Sequence, residues 1–167
     1  QMHDVIDQLA PRDSTNIEAG LDLAYGQVAP TAGAVGVEDR VMLFTDAQPN
    51  VGSTDIGSFL GMARFYAASG IGLSVFGVGM DLGAELAHEV SKVRGGNYFY
   101  LADADAIATV FDDEFEYMVS PIAYDLEVEI TTADGLQFVD GLGAPLDNPG
   151  PQVDFGASTL FLSARNG

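Results

Sequence analysis

Three short apolar runs alternate along this chain with helix-length segments, and no other feature of the sequence constrains the fold as strongly. The runs cover residues 41–45, 71–78 and 97–101, each rich in branched or aromatic residues with few polar residues between them. Runs of this kind are typical of strands that are buried on both faces. Because buried strands separated by helices form parallel βαβ units, we predict an α/β fold with a doubly wound, mainly parallel sheet.

The segments around these runs carry apolar residues at helical spacing. A short helix is predicted over residues 2–9, and a second helix begins near Thr15, where Glu18 three positions later completes a capping-box pattern. Asp103 is the predicted N-cap of the last helix, which covers about residues 104–119. Two further helices are predicted from these apolar positions: Phe59, Leu60, Ala63 and Ala67, then Leu82, Leu86, Val90 and Val93.

The spacing of apolar residues along the sequence changes after Ser120. From Leu126 to Ile130 apolar and acidic residues alternate, which is typical of a half-exposed strand in an antiparallel sheet. Three strands are predicted in this part of the chain: 126–130, 136–139 and 158–164. We therefore divide the chain into an α/β domain, residues 1–120, and a β-rich segment, residues 121–167, which we expect to be part of a β-sandwich-like extension.

The first apolar run is too hydrophobic for an exposed edge of a sheet. Residues 41–45 read Val-Met-Leu-Phe-Thr, and such a strand normally has neighbours on both sides. With two later runs to pair with, the predicted sheet is incomplete. We expect a further strand beside residues 41–45, contributed by missing N-terminal strands, by a second chain or by the β-rich segment.

The charge balance narrows the range of partners. The 167 residues include 6 basic and 25 acidic residues, a net charge of −19, which repels phosphate backbones and anionic lipid surfaces. We therefore expect no nucleic-acid partner, and no apolar run is long enough to insert into a membrane. The sequence contains no cysteine, which excludes disulfides and thiolate chemistry.

Two oxygen-bearing side chains are predicted to meet at one edge of the sheet. Asp46 follows the first apolar run, and ligands of open parallel sheets bind outside the carboxyl ends of the strands. Thr15 stands at a helix start that could reach the same edge. A carboxylate and a hydroxyl together suit a hard cation such as Mg²⁺. A plain helix cap at Thr15 and a strand-end residue at Asp46 explain the spacing at least as well.

The residues around Thr15 and Asp46 resemble the second and third metal-site motifs of von Willebrand factor type A domains. The similar segments, in that family's order, are Ser14-Thr15-Asn16-Ile17 with Gly20-Leu21, then Leu43 to Asn50, Gly70-Ile71, Phe76 to Gly79, and Gly95 to Tyr100. Together they cover about residues 1–120. The segment 120–125 resembles the exit from this domain in bacterial surface relatives.

The resemblance implies an adhesion-type site that binds a protein ligand through a divalent cation. Thr15 would ligate Mg²⁺, or Mn²⁺ or Ca²⁺, directly, and Asp46 would ligate it directly or through water. A carboxylate from the protein ligand would complete the octahedron. The resemblance also implies a last helix that can shift and couple to the site, no catalytic activity, and a secreted, cell-surface or periplasmic bacterial protein.

Two departures from the family's pattern bear on this site. The first metal-site motif, Asp-x-Ser-x-Ser, occurs nowhere in the sequence. It normally supplies most of the direct ligands, so this chain alone is expected to hold the metal weakly or not at all. The strand that carries this motif would also be the neighbour expected beside residues 41–45, which indicates an N-terminally incomplete domain. Ala47 replaces the glycine of the third motif without removing a ligand.

The sequence does not favour an enzyme or a calcium-binding loop protein. The two histidines, His3 and His88, have no recognisable nucleophile partner, and the segment 76–80 lacks the third glycine of a dinucleotide-binding loop. The acidic residues 112–116 lack the spacing of a calcium-binding loop. Two alternatives stay open: an intracellular regulator of an ATPase or chelatase complex, and a structural module without a working metal site.

Overall fold

The computed structural model describes residues 3, 7–8, 10, 14–46, 51–52, 55–78, 84–140 and 150–162. Most of the predicted opening helix, residues 2–9, lies outside the described residues. The helices are α1 (Ile17–Val28), α2 (Ile56–Ala67), α3 (Ala84–Ser91), α4 (Ala104–Ala108) and α5 (Phe115–Met118), and the strands are β1 (Asp39–Thr45), β2 (Ile71–Val78), β3 (Gly96–Leu101), β4 (Pro121–Thr131) and β5 (Gln152–Phe161).

The three apolar runs form one parallel sheet, as predicted. Its strand order is β1-β2-β3, with Val41 opposite Leu73 and Val75 opposite Tyr98 in the register. All residues of β2 from Ile71 to Gly77 are buried, because this strand lies in the middle of the sheet.

Helices cover both faces of this sheet, which confirms the doubly wound α/β class. On one face α1, α2 and α3 bury their apolar residues against Val41, Leu73 and Val75. On the other face the last helical segment packs on Phe76 and Leu101. Burying one such side chain completely contributes roughly 1.5–3 kcal/mol, so these two clusters hold the sheet and helices together.

The last helix is wider in its middle than an α-helix. Between α4 and α5 it forms a π-helical segment, Thr109–Glu114. Phe111 of this segment contacts Phe76 and Phe44, with ring centroids 5.1 and 5.7 Å away. Phe76 also stacks on Phe44 and Phe99, at 4.7 and 5.3 Å. The widened turn therefore anchors the helix on an aromatic cluster that crosses all three strands.

A buried arginine joins the amino-terminal halves of the strands. The Arg40 side chain on β1 is 3% exposed, and its Nη1 donates to Ser74 Oγ at 3.1 Å and to the Gly95 carbonyl at 2.8 Å. Ser74 Oγ donates to Asn97 Oδ1 at 2.6 Å, and Asn97 Nδ2 donates to the Met118 carbonyl at 2.7 Å. This polar chain links β1, β2, β3 and the end of the last helix.

Glycine at position 72 makes room for the Arg40 guanidinium. A Cβ at Gly72 would lie 2.8 Å from Arg40 Cζ and 2.9 Å from the Gly95 carbonyl oxygen. Burial lowers the pKa of Arg40, and the Glu38 carboxylate, 3.7 Å from Nη2, opposes part of that effect. Arginine keeps its charge in such surroundings, so the buried group is a cation.

The chain after Ser120 forms a separate antiparallel sheet of two strands, β4 and β5. The prediction of a strand at 136–139 was wrong, because Thr132 Oγ1 donates to the carbonyls of Leu136 and Pro151 and holds a turn there. An isolated bridge, Phe138 to Gly150, is the sole β pairing of this turn among the described residues.

The predicted strand at 158–164 was placed too late in the chain. β5 begins at Gln152, which pairs with Thr131 at the end of β4. The length of β4 explains the early start of β5. Because β4 has 11 residues, a partner strand that pairs along its whole length must begin well before residue 158. The two-stranded sheet does not pair with β1, so it is not the neighbour expected beside residues 41–45.

The β4–β5 sheet docks on the loop between α3 and β3. Ser158 Oγ donates to the Ser91 carbonyl at 2.6 Å, and the Gly95 amide donates to Thr159 Oγ1 at 2.7 Å. Phe161 lies under the Arg40 guanidinium, with its ring centroid 5.2 Å from Cζ. The docking site is therefore at the amino-terminal edge of the parallel sheet.

Arg94 adds a second contact between the same loop and β4. Its guanidinium lies over the Tyr124 ring at 3.9 Å, and its Nε donates to Asp125 Oδ2 at 3.2 Å. Asp125 has a φ of 53°, a left-handed conformation that aspartate tolerates better than most residues. The left-handed backbone conformation therefore occurs at the residue whose carboxylate accepts from Arg94.

We predict that Gly72→Ala destabilises the protein by about 1–3 kcal/mol, because the new methyl group would press on the Arg40 guanidinium and the Gly95 backbone. Chemical denaturation followed by circular dichroism measures this change. Gly61→Ala is the matched control: Gly61 lies in α2 with nothing within 4 Å of an added Cβ, so it should stabilise by about 0.5–1 kcal/mol. Equal stability of the two variants would contradict a tight fit at Gly72.

Candidate functional site

Asp46 lies at the carboxyl-terminal edge of the parallel sheet, as predicted. It follows β1 directly and its side chain is exposed, whereas the preceding Thr45 is 8% exposed. The parallel sheet ends here, so polar groups at this position face solvent. Residues 47–50, with Ala47, lie outside the described residues.

The start of α1 reaches the same edge. Burial raises the pKa of Tyr25, near the end of α1, and the charge of Arg40 at the amino end of β1 opposes that rise. Leu21 and Tyr25 of α1 lie in one buried cluster with Val41 of β1. Thr15 lies two positions before Ile17, the first residue of α1, and its carbonyl accepts from the amide of Val51, which follows Asp46 in the sequence.

A backbone contact joins the two loops that carry Thr15 and Asp46. The Val51 amide donates to the Thr15 carbonyl at 3.3 Å. Next to it, Gly52 approaches Asn16 so closely that an added Cβ would lie 2.6 Å from Asn16 Oδ1. Gly52 has a φ of 77°, which favours glycine. Val51 and Gly52, which follow Asp46 in the sequence, thus contact the start of α1.

The helix cap at this edge is Asn16, so the predicted capping box of Thr15 and Glu18 was wrong by one residue. Asn16 Oδ1 accepts from the Ala19 amide at 2.9 Å. Asparagine is among the best N-cap residues. The sequence could have indicated Asn16 as the cap, but the capping-box pattern of Thr15 and Glu18 favoured Thr15. Thr15 lies outside the helix with a half-buried side chain.

The candidate metal ligands at this edge are oxygen atoms, the type of ligand that a hard cation prefers, but there are few of them. Thr15 offers a hydroxyl and Asp46 a carboxylate, and Mg²⁺ takes six oxygen ligands, several of them often water. In the described parts of the chain, no three His, Cys, Asp or Glu side chains come together as a metal-binding cluster. A cation held here would therefore need most of its ligands from water or from another molecule.

The other groups weighed from the sequence do not gather into a site. His88 is exposed on α3, and its carbonyl accepts from Ser91 Oγ at 2.8 Å. Asp112 and Glu116 are exposed on the last helix, as expected for a solvated helix face. Asp103 caps this helix as predicted, since its Oδ1 accepts from the Ala106 amide at 2.9 Å.

Among curated proteins, the chain is similar to a protein of Escherichia coli. The chain is 34% identical over 132 residues to uncharacterized protein YfbK of Escherichia coli strain K12, and the match covers 78% of this chain and 23% of that protein. The chain thus spans less than a quarter of the length of this relative. No protein-family profile matches the chain.

Comparison with solved structures identifies the fold. A von Willebrand factor type A structure from Catenulispora acidiphila superposes with a TM-score of 0.55 at 18% sequence identity, over 96% of this chain and 39% of that one. The parallel sheet with helices on both faces agrees with this superposition. The chain has the fold of a von Willebrand factor type A domain, which confirms at the level of fold the resemblance found in the sequence.

Apolar helices long enough to cross a bilayer are not found in the part of the chain that the structure describes.

We predict that Asn16→Ala lowers the free energy of unfolding by about 0.5–2 kcal/mol, because the first turn of α1 loses its capping acceptor. Ser14→Ala is the control, since Ser14 is exposed and precedes the cap by two residues, and it should change stability by less than about 0.5 kcal/mol. Urea denaturation of the three proteins measures both changes. A loss for Ser14→Ala as large as for Asn16→Ala would contradict the assignment of the cap.

Proposed function

We propose that this chain is a non-enzymatic protein-binding domain whose site lies at the carboxyl edge of the sheet and uses a divalent cation. Thr15 and Asp46 are the protein's own ligands in this proposal, and a carboxylate from a protein partner is the third. The observation that carries the proposal is the hydrogen bond from the amide of Val51, five positions after Asp46, to the Thr15 carbonyl at the start of α1.

The position of Thr15 supports its role in the proposed site. Asn16 caps the helix, so the start of α1 does not depend on the Thr15 hydroxyl as its cap. The bond to Val51 and the capped first turn that follows it hold the backbone of Thr15 in place, which a binding site requires. Asp46 is exposed at the end of β1, where an approaching partner reaches it.

The charge of the chain supports a role for a cation. With a net charge of −19, the protein repels acidic partners unless positive charge is supplied locally. A divalent cation at Thr15 and Asp46 would supply that charge and bind the carboxylate of the partner. The protein's residues would hold and orient the cation, and the partner would add a ligand at an open position.

The strongest competing function is a structural module with no working cation site. It is favoured by the small donor set, since the described residues hold no cluster of three metal-binding side chains. The two functions differ in one measurable property, the binding of a free divalent cation.

We predict weak, saturable binding of Mg²⁺ and Mn²⁺ to metal-stripped protein, with a Kd of about 1 mM because few protein ligands are present. By mass action, about 10 mM Mg²⁺ would then raise the free energy of unfolding by about 1.4 kcal/mol. Titration calorimetry and thermal unfolding measure the two effects. Both should disappear in Thr15→Ala and in Asp46→Ala.

The control for this experiment is Asp22→Ala, which removes an exposed carboxylate of α1 from outside the proposed site. It should bind the cation as the unaltered protein does. An absence of heat and of stabilisation in the unaltered protein would favour the structural module. Equal loss of binding in all three variants would indicate general attraction of cations to the acidic surface.

A further inference from the structure

Two carboxylates stand directly opposite each other on one face of the β4–β5 sheet. In the antiparallel register Glu129 pairs with Asp154, and both residues are exposed. Residues paired in this way point to the same face, with Cβ atoms about 4.5–5.5 Å apart. Two negative charges at that distance repel each other, so this pair opposes the pairing of the strands that carry it.

No lysine or arginine in the described part of the chain offsets this repulsion. The basic side chains described there form ion pairs elsewhere: Arg40 with Glu38, Arg64 and Lys92 with Glu89, and Arg94 with Asp125. Gln152 Nε2 donates to both carboxylate oxygens of Asp154, at 2.9 and 3.1 Å. This neutral amide orients the carboxylate but does not cancel its charge.

The separation of the two carboxylates decides how much salt screens them. The Debye length is about 10 Å at 0.1 M salt and about 3 Å at 1 M. On a chain with a net charge of −19, the repulsion between charges more than about 10 Å apart is therefore largely screened at 0.1 M. A pair whose Cβ atoms lie about 5 Å apart is not, and its repulsion falls mainly between about 0.1 and 1 M salt.

Hydrogen bonds on both sides of this pair hold the strands while the carboxylates repel. Beyond Glu129, the Thr132 amide donates to the Pro151 carbonyl at 2.8 Å. Toward the other end of the sheet, Thr159 Oγ1 accepts from the Gly95 amide at 2.7 Å, which fixes β5 on the α/β domain. The repulsion therefore loosens the stretch between these contacts without separating β4 from β5.

We propose that salt concentration controls how tightly β4 and β5 pair around Glu129 and Asp154. In dilute salt the two carboxylates repel each other, and the hydrogen bonds beside them open more often. Toward 1 M salt their repulsion is screened and the strands close. The ions act by screening and none is held between the carboxylates, so this response is separate from the proposed cation site at Thr15 and Asp46.

Amide exchange followed by NMR, in NaCl buffers that contain a chelator, measures this opening. From about 0.1 to 1 M NaCl, we expect the exchange of residues 128–130 and 153–155 to slow by about 1.4- to 5-fold. That range is the size of one cross-strand contact, about 0.2–1 kcal/mol, converted at about 1.4 kcal/mol per tenfold change.

Two variants that lose the same charge separate this pair from the general acidity of the surface. Glu129→Gln removes one member of the pair. Glu127→Gln is its matched control, since Glu127 is also exposed on β4 and points to the same face two residues earlier. Glu127 stands opposite Gly156, which has no side chain. Glu129→Gln should slow exchange in dilute salt and abolish most of the response to salt, whereas Glu127→Gln should leave that response unchanged.

Thermal unfolding of the three proteins gives a second readout. In about 0.1 M salt the Tm of Glu129→Gln should exceed that of Glu127→Gln by about 1–3 °C, and the difference should vanish at about 1 M. The proposal is overturned if exchange does not respond to salt, or if the two variants behave alike. It is also overturned if tetramethylammonium chloride at the same ionic strength does not reproduce the effect of NaCl, because a bound sodium ion would then explain it.

Discussion

The buried cation of Arg40 is the interaction on which the rest of the structure depends. A charged group with a 3% exposed side chain costs several kcal/mol of desolvation unless polar groups surround it. Here Ser74 Oγ, Asn97 Oδ1 and the Gly95 carbonyl all accept from Nη1, whereas Nε and Nη2 are buried without a hydrogen-bond partner. The bonds of Nη1 reach β2, β3 and the residue before β3, so they form only when these strands lie beside β1. Through Asn97 the same network reaches the Met118 carbonyl at the end of the last helix.

The two ends of the parallel sheet differ in what covers them. At the amino edge, Phe161 lies under Arg40 and Thr159 accepts from the Gly95 amide, so the β4–β5 sheet is attached to the structural end. At the carboxyl edge, Asp46 is exposed and the Val51 amide bonds to Thr15. A ligand at the carboxyl edge would meet a surface that the attached β-sheet does not cover. This arrangement agrees with the general placement of ligands in open parallel sheets.

The acidic surface sets the long-range electrostatics of the chain. A net charge of −19 repels other acidic surfaces at long range. The fold alone, shared with von Willebrand factor type A structures, identifies no partner, because function resides in the particular residues placed on it.

By itself the sequence determined the elements whose signals are local. The runs at 41–45 and 71–78 could be predicted as buried strands from their composition, and Asp103 could be predicted as a cap because an N-cap bonds within its own turn. The identity of the N-cap of α1 also depends on local sequence. Thr15 and Asn16 are adjacent and both suit a cap, and the structure shows that Asn16 is the cap. The resemblance of short motifs identified the fold, since those motifs occur in a fixed order along the chain.

Tertiary structure alone decided the features that join distant residues. The sequence shows Arg40 as one basic residue after two acidic ones, and its burial depends on Gly72, Ser74 and Asn97, which lie on the two later strands. The start of β5 at Gln152 was decided by pairing with β4, because a strand takes its length from its neighbour as much as from its own residues. The contact of Val51 with Thr15 likewise needed the folded chain. Local preference predicts an element, whereas hydrogen bonds between distant segments exist only after the sheet has brought them together.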